Sequence, residues 1–200
     1  MVLAAGASRR MGSPKALLAL GATTALGRVL DACRAAGLGR PLVVVGAHAD
    51  RVGPAAAALG ARVVGNPRWA EGRTTSIQAG IAALPADAAA ALLWPVDVCL
   101  PDRAVVEALL RARAAAPAAQ VWVPCHGGRR GHPVLIARAA TASLAALGPD
   151  EPARQVIRGL AARGAVAHVE VEGDAVLRDM NTPQEYRALR ALVEPGEPTG

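Results

Sequence analysis

The chain begins with Met1-Val-Leu-Ala-Ala-Gly-Ala-Ser-Arg-Arg-Met-Gly-Ser-Pro-Lys15, in which a short apolar run ends at Gly6 and a basic loop follows. Small residues in such a loop allow backbone N–H groups to approach a ligand closely, and concave arrangements of these groups bind anions. The cations of Arg9, Arg10 and Lys15 would repel one another on one tight loop unless an anion lay between them. The stretch therefore predicts a first strand followed by a site for a phosphate chain.

This loop matches neither of the common phosphate-binding motifs. A Walker loop requires Gly-Lys-Ser/Thr, whereas Gly12 is followed here by Ser-Pro-Lys, and the GxGxxG pattern of dinucleotide-binding loops is absent. On spacing alone, an arginine-rich surface turn in an alanine-rich protein remains the alternative interpretation.

The segment from Leu3 to Lys15 resembles the signature loop LAAGxSxRMGxxK of the MobA-like nucleotidyltransferases, and it is most similar to the molybdenum cofactor cytidylyltransferases. The resemblance implies that Arg10 and Lys15 are catalytic residues that contact the phosphates of a nucleoside triphosphate. It also implies nucleotide contacts for six residues of the segment: Leu3, Ala4, Ala5, Gly6, Arg9 and Gly12. Ala-Ala-Gly at 4–6 is typical of family members that use CTP, whereas Ala-Gly-Gly is typical of those that use GTP.

Apolar runs alternate with amphipathic segments along the rest of the chain. After the first strand, we predict strands at 42–45, 61–64, 90–96, 120–124, 132–137 and 166–171, and helices at 24–36, 50–59, 74–83, 102–115, 138–147, 153–163 and 182–193. Thr24 is expected to cap the first helix, and Thr182-Pro-Gln-Glu185 is a capping box with Pro at the first helical position. The segment 16–20 is predicted to be extended, and 126–131 to be a loop.

This alternation predicts an α/β protein with a largely parallel sheet covered on both faces. The predicted fold class is a Rossmann-like three-layer α/β/α sandwich with a mostly parallel, mixed sheet. The resemblance implies the nucleotide-diphospho-sugar transferase type. We expect a single domain at 1–193 and a frayed C-terminal tail at 194–200.

The composition excludes several classes of function. Although 52% of the 200 residues are hydrophobic, alanine dominates, and no run is long enough to span a membrane. Three cysteines without metal-ligand spacing predict free thiols and a cytoplasmic location. The net charge of +6 suits an anionic ligand but also follows from the arginine content. No basic cluster with interleaved aromatic residues indicates nucleic-acid binding.

Two acidic segments are candidates for a metal site. Asp97 directly follows a buried strand, where an unpaired carboxylate is costly. The resemblance implies that Asp97 holds Mg²⁺ against the nucleotide phosphates, although Val-Asp-Val-Cys replaces the usual Gly-Asp-Met-Pro. The segment from Leu177 to Pro183 resembles the family's DIDTP sequence and implies further ligands at Asp179 and Asn181. The alternative is that these two residues only shape the turn before the Thr182 cap.

Two further segments resemble the family's substrate-binding sequences. In Gly72-Arg-Thr-Thr-Ser-Ile-Gln-Ala-Gly80, Ser76 and Gly80 share one face of a helix, and the resemblance implies that they contact the nucleotide. Gly128-Arg-Arg-Gly-His-Pro133 resembles GxxGHP, which implies that Arg130, or its neighbour Arg129, binds the acceptor together with His132. A capping serine, a packing glycine and a structural histidine are the alternative interpretations.

Together these features predict an enzyme that moves a nucleoside monophosphate, CMP from CTP, onto a phosphorylated acceptor such as molybdopterin, with Mg²⁺ as cofactor and pyrophosphate as leaving group. The resemblance implies a molybdoenzyme or chaperone as a protein partner. The composition predicts no nucleic-acid or membrane partner. Two alternatives remain open. One is a sugar- or alditol-phosphate nucleotidyltransferase, and the other is a nucleotide-binding module without turnover.

Overall fold

The computed structural model describes residues 1–194 and contains ten strands and seven helices in that part of the chain. The strands are β1 (Val2–Ala4), β2 (Ala19–Leu20), β3 (Thr23–Thr24), β4 (Leu42–Val45), β5 (Arg62–Gly65), β6 (Ala90–Pro95), β7 (Val121–His126), β8 (Arg129–Arg130), β9 (Val134–Ala137) and β10 (Val166–Glu170). The helices are α1 (Ala25–Ala35), α2 (Ala49–Ala58), α3 (Arg73–Ala82), α4 (Arg103–Ala115), α5 (Arg138–Ala145), α6 (Arg154–Ala162) and α7 (Pro183–Val193).

The main sheet has the strand order β10, β7, β9, β6, β1, β4, β5, and β8 pairs with β7 beside this path. The pairs β1–β4, β1–β6, β4–β5 and β7–β10 are parallel. In the described part of the chain, only β9, between β6 and β7, and the short β8 run antiparallel to their neighbours in this sheet. The predicted mostly parallel, mixed sheet is therefore confirmed.

Helices cover both faces of this sheet. Successive side chains of a strand point to opposite faces, so Trp94 and Trp122 join a core with α1 and α4, whereas Leu93, Val121 and Val123 join a second core with α3, α5 and α6. Both tryptophans are fully buried. The three-layer arrangement is confirmed, and with no Phe in the chain the rest of this core is mainly aliphatic.

The two predicted helix caps, those of α1 and α7, are confirmed by their hydrogen bonds. The Thr24 hydroxyl accepts from the backbone N–H of Gly27 at 3.1 Å. At α7, Thr182 Oγ1 accepts from the N–H of Glu185, whose carboxylate in turn accepts from the N–H of Thr182 at 2.8 Å. These local contacts lie within four residues along the chain, which is why the sequence pattern predicts them.

Two segments differ from their predictions. In the segment predicted to be extended at 16–20, the first two residues belong to a 3₁₀ turn, Lys15–Leu17, in which the N–H of Leu17 bonds to the carbonyl of Pro14. The strand itself is limited to Ala19–Leu20. In the predicted loop 126–131, β7 and β8 form a hairpin. Its two turn residues, Gly127 and Gly128, have φ angles of 56° and 74°, as tight hairpin turns require.

Three other expectations concern the cysteines, membrane-spanning helices and the C-terminus. The three cysteines are buried free thiols among the described residues, as predicted. Within residues 1–194, no helix is long and apolar enough to cross a bilayer. The predicted tail at 194–200 lies outside the described residues except for Glu194, and the extent of the domain stays a prediction.

Gly131, which follows the β7–β8 hairpin, packs closely against the backbone of Val176. A Cβ at this position would collide with the carbonyl of Val176, while the N–H groups of Gly131 and His132 bond to Pro124 and Val176 at 2.8 and 3.0 Å. Because both backbones are held, we expect Gly131→Ala to lower the free energy of unfolding by about 1–3 kcal/mol in urea denaturation.

Gly159→Ala is the matched control, because Gly159 lies in α6 with no heavy atom within 4 Å of an added Cβ. This control is expected to raise the free energy of unfolding by up to about 1 kcal/mol through helix propensity. Equal stability of Gly131→Ala and the wild type would contradict the close docking.

Candidate active site

A cavity of about 340 Å³ lies beyond the carboxyl ends of β1 and β6, where α/β sheets commonly bind ligands. The loop after β1 forms one wall, and Asp97, directly after β6, lies at its base. Ten residues predicted from the sequence line this cavity: Leu3, Ala4, Ala5, Gly6, Arg9, Arg10, Lys15, Ser76, Asp97 and Asn181. The structure thus brings together most of the predicted site.

Lys15 joins three distant parts of the chain at this cavity. Its ammonium nitrogen donates to Asp97 Oδ2 at 3.1 Å and to Asn181 Oδ1 at 2.6 Å. The side chains of Lys15 and Asp97 are only 14% and 18% exposed. A second link, from the N–H of Met180 to the carbonyl of Asp97 at 2.9 Å, holds the segment before α7 against the end of β6. The positions of Asp97 and Asn181 are therefore coupled.

The basic loop is held in shape by its own backbone. Ser8 has a φ of 50°, in the left-handed region that side chains other than glycine rarely adopt, and Gly12 has a φ of 66°. The Ser8 hydroxyl accepts from the N–H of Lys15 at 3.1 Å, and the Ser8 carbonyl accepts from the N–H of Met11 at 2.9 Å. A strained residue held by several contacts is typical of ligand-binding loops.

The opposite wall comes from the start of α3 and the loop before it. The side chain of Asn66 donates to the hydroxyls of Thr75 and Ser76, each at 2.9 Å, and all three residues are buried. This network fixes the Ser76 hydroxyl at the cavity wall.

Trp69 and Arg73 also line the cavity, although we did not predict them from the sequence. Gly46 permits the position of Trp69, since an added Cβ would lie 2.6 Å from the Trp69 Cβ and 2.8 Å from the Ala5 carbonyl. The sequence contains a feature that could have pointed to each of these two residues. Trp69 is an unusual aromatic residue in a loop after a strand, and Arg73 lies three residues before Ser76 in the segment quoted above.

Five predicted site residues do not line the cavity: Gly12, Gly80, Asp179, Arg130 and His132. Gly80 packs inside the fold, where an added Cβ would meet Met1 Sδ at 2.5 Å and Val44 Cγ2 at 3.2 Å. Gly12 ends the 3₁₀ turn of the basic loop, and Arg130 is exposed on β8. The expected ligand contacts of these three residues therefore find no support in their positions.

Asp179 and His132 lie next to the cavity. Asp179 is exposed and accepts from Asn181 Nδ2 at 3.3 Å, so it orients the amide whose oxygen faces Lys15. Nδ1 of His132 is buried and has no hydrogen-bond partner within residues 1–194. Burial lowers the pKa of His132, and the charge of Arg73 lowers it further, while the charges of Asp97 and Asp179 act in the opposite direction.

The donor set fits a cation that brings its own further ligands. No group of three His, Cys, Asp or Glu residues that could hold a metal occurs among the described residues. Asp97 and Asn181 offer one carboxylate and one amide oxygen, and Mg²⁺ usually binds through one or two carboxylates plus water and substrate phosphates.

Cys99 offers no competing nucleophile, because burial raises the pKa of its thiol to about 11.

Comparisons with known proteins identify a family and a shared fold. Residues 1–169 match the model of the MobA-like NTP transferase domain. The crystal structure of Rv0371c from Mycobacterium tuberculosis is 30% identical, with a TM-score of 0.79 over 94% of this chain and 95% of that chain. A complex of Rv0371c with manganese matches over the same shares and at the same identity, with a TM-score of 0.72.

A more distant structure shares the fold. The 2-C-methyl-D-erythritol 4-phosphate cytidylyltransferase from Thermus thermophilus is 22% identical and has a TM-score of 0.67 over 96% of this chain and 97% of that chain. A comparison with curated proteins finds no significant match.

The family model identifies a nucleotidyltransferase, and the mixed sheet covered by helices has the nucleotide-diphospho-sugar transferase fold. Because the family model covers residues 1–169, most of the chain, the protein belongs to the MobA-like NTP transferase family.

The buried His132 predicts how stability depends on pH. Its pKa is lower in the folded protein than the ordinary value of 6.5, so the unfolded chain binds the proton first as the pH falls. The folded protein is therefore most stable with respect to His132 above pH 6.5, where this side chain is neutral in both states. This stabilisation is lost as the pH falls from 6.5 through the lower pKa of the folded state.

Urea denaturation at several pH values between 7.5 and 5 measures this effect. We expect the stability of His132→Asn to fall less than that of the wild type over this range. Parallel curves for the two proteins would show that His132 carries none of the dependence.

Proposed function

We propose that this protein is a metal-dependent cytidylyltransferase that transfers CMP from CTP to a small phosphorylated acceptor of the molybdopterin type and releases pyrophosphate. The observation that carries the proposal is the contact of Lys15 with Asp97 and Asn181 at the base of a cavity whose wall bears Arg9 and Arg10. The triphosphate group of a nucleoside triphosphate is an anion that these clustered positive charges would bind.

The reaction requires charge neutralisation and positioning more than covalent chemistry by the protein. An oxygen of the acceptor phosphate attacks the α-phosphorus of the nucleotide, and the bond from this phosphorus to the bridging oxygen of the leaving pyrophosphate breaks. Arg10 and Lys15 stabilise the negative charge that develops on the phosphate oxygens, and Arg9 helps to hold the β- and γ-phosphates. No Ser or Cys side chain is needed as a nucleophile.

Asp97 and Asn181 would hold the divalent cation, with Asp179 keeping the Asn181 amide in orientation. The cation, Mg²⁺ in our proposal, supplies Lewis-acid stabilisation of the phosphate oxygens when it is bound. Three observations support its use here: the oxygen donors themselves, their position at the base of the cavity, and the manganese complex of Rv0371c, a protein 30% identical to this chain.

The choice of CTP depends on the Ala-Ala-Gly sequence at 4–6, whose backbone lines the cavity, and on the fixed hydroxyl of Ser76. For the acceptor, His132 is the candidate contact, because its buried Nδ1 has no hydrogen-bond partner within residues 1–194. Reduced cysteines support a cytoplasmic location, and we propose a molybdoenzyme or its chaperone as the receiver of the product.

A thermal-shift screen of the four nucleoside triphosphates, each with and without Mg²⁺, tests the nucleotide. We expect CTP with Mg²⁺ to raise the melting temperature most, because a ligand stabilises the folded state according to its affinity. A larger shift with GTP would contradict the assignment of the base.

The acceptor is tested by following pyrophosphate release with molybdopterin and with sugar and alditol phosphates. Turnover with a sugar or alditol phosphate alone would identify the other class of transferase. Binding of CTP without pyrophosphate release from any acceptor would indicate a binding module.

Substitution of the central ion pair tests the mechanism. We expect Lys15→Ala and Asp97→Ala each to reduce the rate of pyrophosphate release by about 10²–10³-fold, comparable to the loss of one group that stabilises transition-state charge. Arg158→Ala is the control, because Arg158 is an exposed cation on α6 outside the cavity wall, and it should retain full activity. Full activity in either Lys15→Ala or Asp97→Ala would exclude the mechanism.

A further inference from the structure

The ammonium group of Lys15 lies on the two oxygen atoms that the proposed function assigns to the metal ion. It is 3.1 Å from Asp97 Oδ2 and 2.6 Å from Asn181 Oδ1, in a part of the cavity where both charged side chains are more than four-fifths buried. A divalent cation on the same two oxygens would lie against the ammonium group. Two like charges at such a distance repel strongly away from bulk water.

The remaining donors do not compensate for this repulsion. No cluster of three His, Cys, Asp or Glu residues suited to a metal occurs within residues 1–194, so a free ion gains few protein ligands here. Mg²⁺ also gives up its water reluctantly and commonly binds together with substrate phosphates. A divalent ion without a nucleotide therefore competes poorly with Lys15.

A bound triphosphate would change this balance, because Lys15 can exchange its partners without moving the backbone. The Ser8 hydroxyl holds the Lys15 N–H, whereas the side chain ends four carbons further on in a flexible stem. Arg9 and Arg10 line the cavity on the same loop, so phosphates attracted by them arrive within the neighbourhood of Lys15.

The amide oxygen of Asn181 would stay in place when Lys15 leaves. Asp179 accepts from the side-chain amide of Asn181, and Glu185 accepts from the backbone N–H of Asn181 at 2.7 Å and of Thr182 at 2.8 Å. Asn181 is thus held from both its side chain and its backbone, independently of Lys15.

We propose that Lys15 is a built-in competitor of the metal ion, which holds Asp97 and Asn181 until a nucleotide draws it away, so that the divalent cation enters together with the nucleotide. The proposal rests on the metal-dependent use of a nucleotide described above. Under this proposal, Lys15 controls the order in which the nucleotide and the metal ion bind, in addition to contacting phosphate.

Titration with Mn²⁺, followed by the electron paramagnetic resonance signal of the free hydrated ion, tests this role without any turnover. In the absence of nucleotide, we expect Lys15→Met to bind Mn²⁺ at least about tenfold more tightly than the wild type, or about 1.4 kcal/mol. Arg10→Met is the matched control, because it removes a cavity cation that does not contact Asp97, and its Mn²⁺ affinity should stay within about threefold of the wild type, or about 0.7 kcal/mol.

Two further variants secure the result. Lys15→Gln should reproduce the gain if Lys15→Met folds poorly by circular dichroism, and the double variant Lys15→Met/Asp97→Asn should lose the gain. Unchanged or weaker Mn²⁺ binding by folded Lys15→Met and Lys15→Gln would overturn the proposal. An equal gain in Arg10→Met would also overturn it, since it would reduce the effect to general charge.

The proposed function is tested separately by binding of Mn²⁺ with CTP to the wild type. If the wild type binds this complex but Lys15→Met gains no affinity for free Mn²⁺, only the role of Lys15 is wrong. If the wild type does not bind the complex at all, the proposed function fails, and coupled entry of the metal fails with it.

Discussion

The active-site end of this molecule depends on one largely buried contact, in which the ammonium group of Lys15 lies between Asp97 and Asn181. Each partner comes from a different region: the loop after β1, the end of β6 and the segment before α7. A carboxylate with so little exposure is costly unless it is paired or bound to a cation. The Asp97 carboxylate therefore attracts cations to the site, and the neighbouring Arg9 and Arg10 attract phosphates.

The sheet explains why these regions meet. β1 lies between β6 and β4 with all three strands parallel, so the loops that leave their carboxyl ends emerge side by side. The reversed strand β9 has a different consequence. Because it runs antiparallel between β6 and β7, the hairpin before it delivers Gly131 and His132 to the same end of the sheet, next to the cavity.

How far the sequence reaches can be judged from particular residues. The strand Leu42–Val45 has the predicted bounds, and the caps at Thr24 and Thr182 are confirmed, because each depends on neighbours a few positions away. Gly80 shows the limit. Its spacing from Ser76 suits a ligand-binding face equally well as a packing contact, and only the position of Met1 and Val44 against it decides for packing. Family membership extended the prediction further than periodicity, since the basic loop carries it in about a dozen positions.

By itself, the sequence determined the alternation of strands and helices, the basic loop and the acidic residue after a buried strand, since these follow from local periodicity, capping and motif. Only the tertiary structure decided that Lys15 meets Asn181, 166 positions away, that Asp179 orients the Asn181 amide, and that Trp69 and Arg73 reach the cavity while Arg130 does not. The physical reason is that contacts between residues so far apart depend on how the strands are ordered and how the loops pack. No pattern over a few neighbouring positions encodes that arrangement.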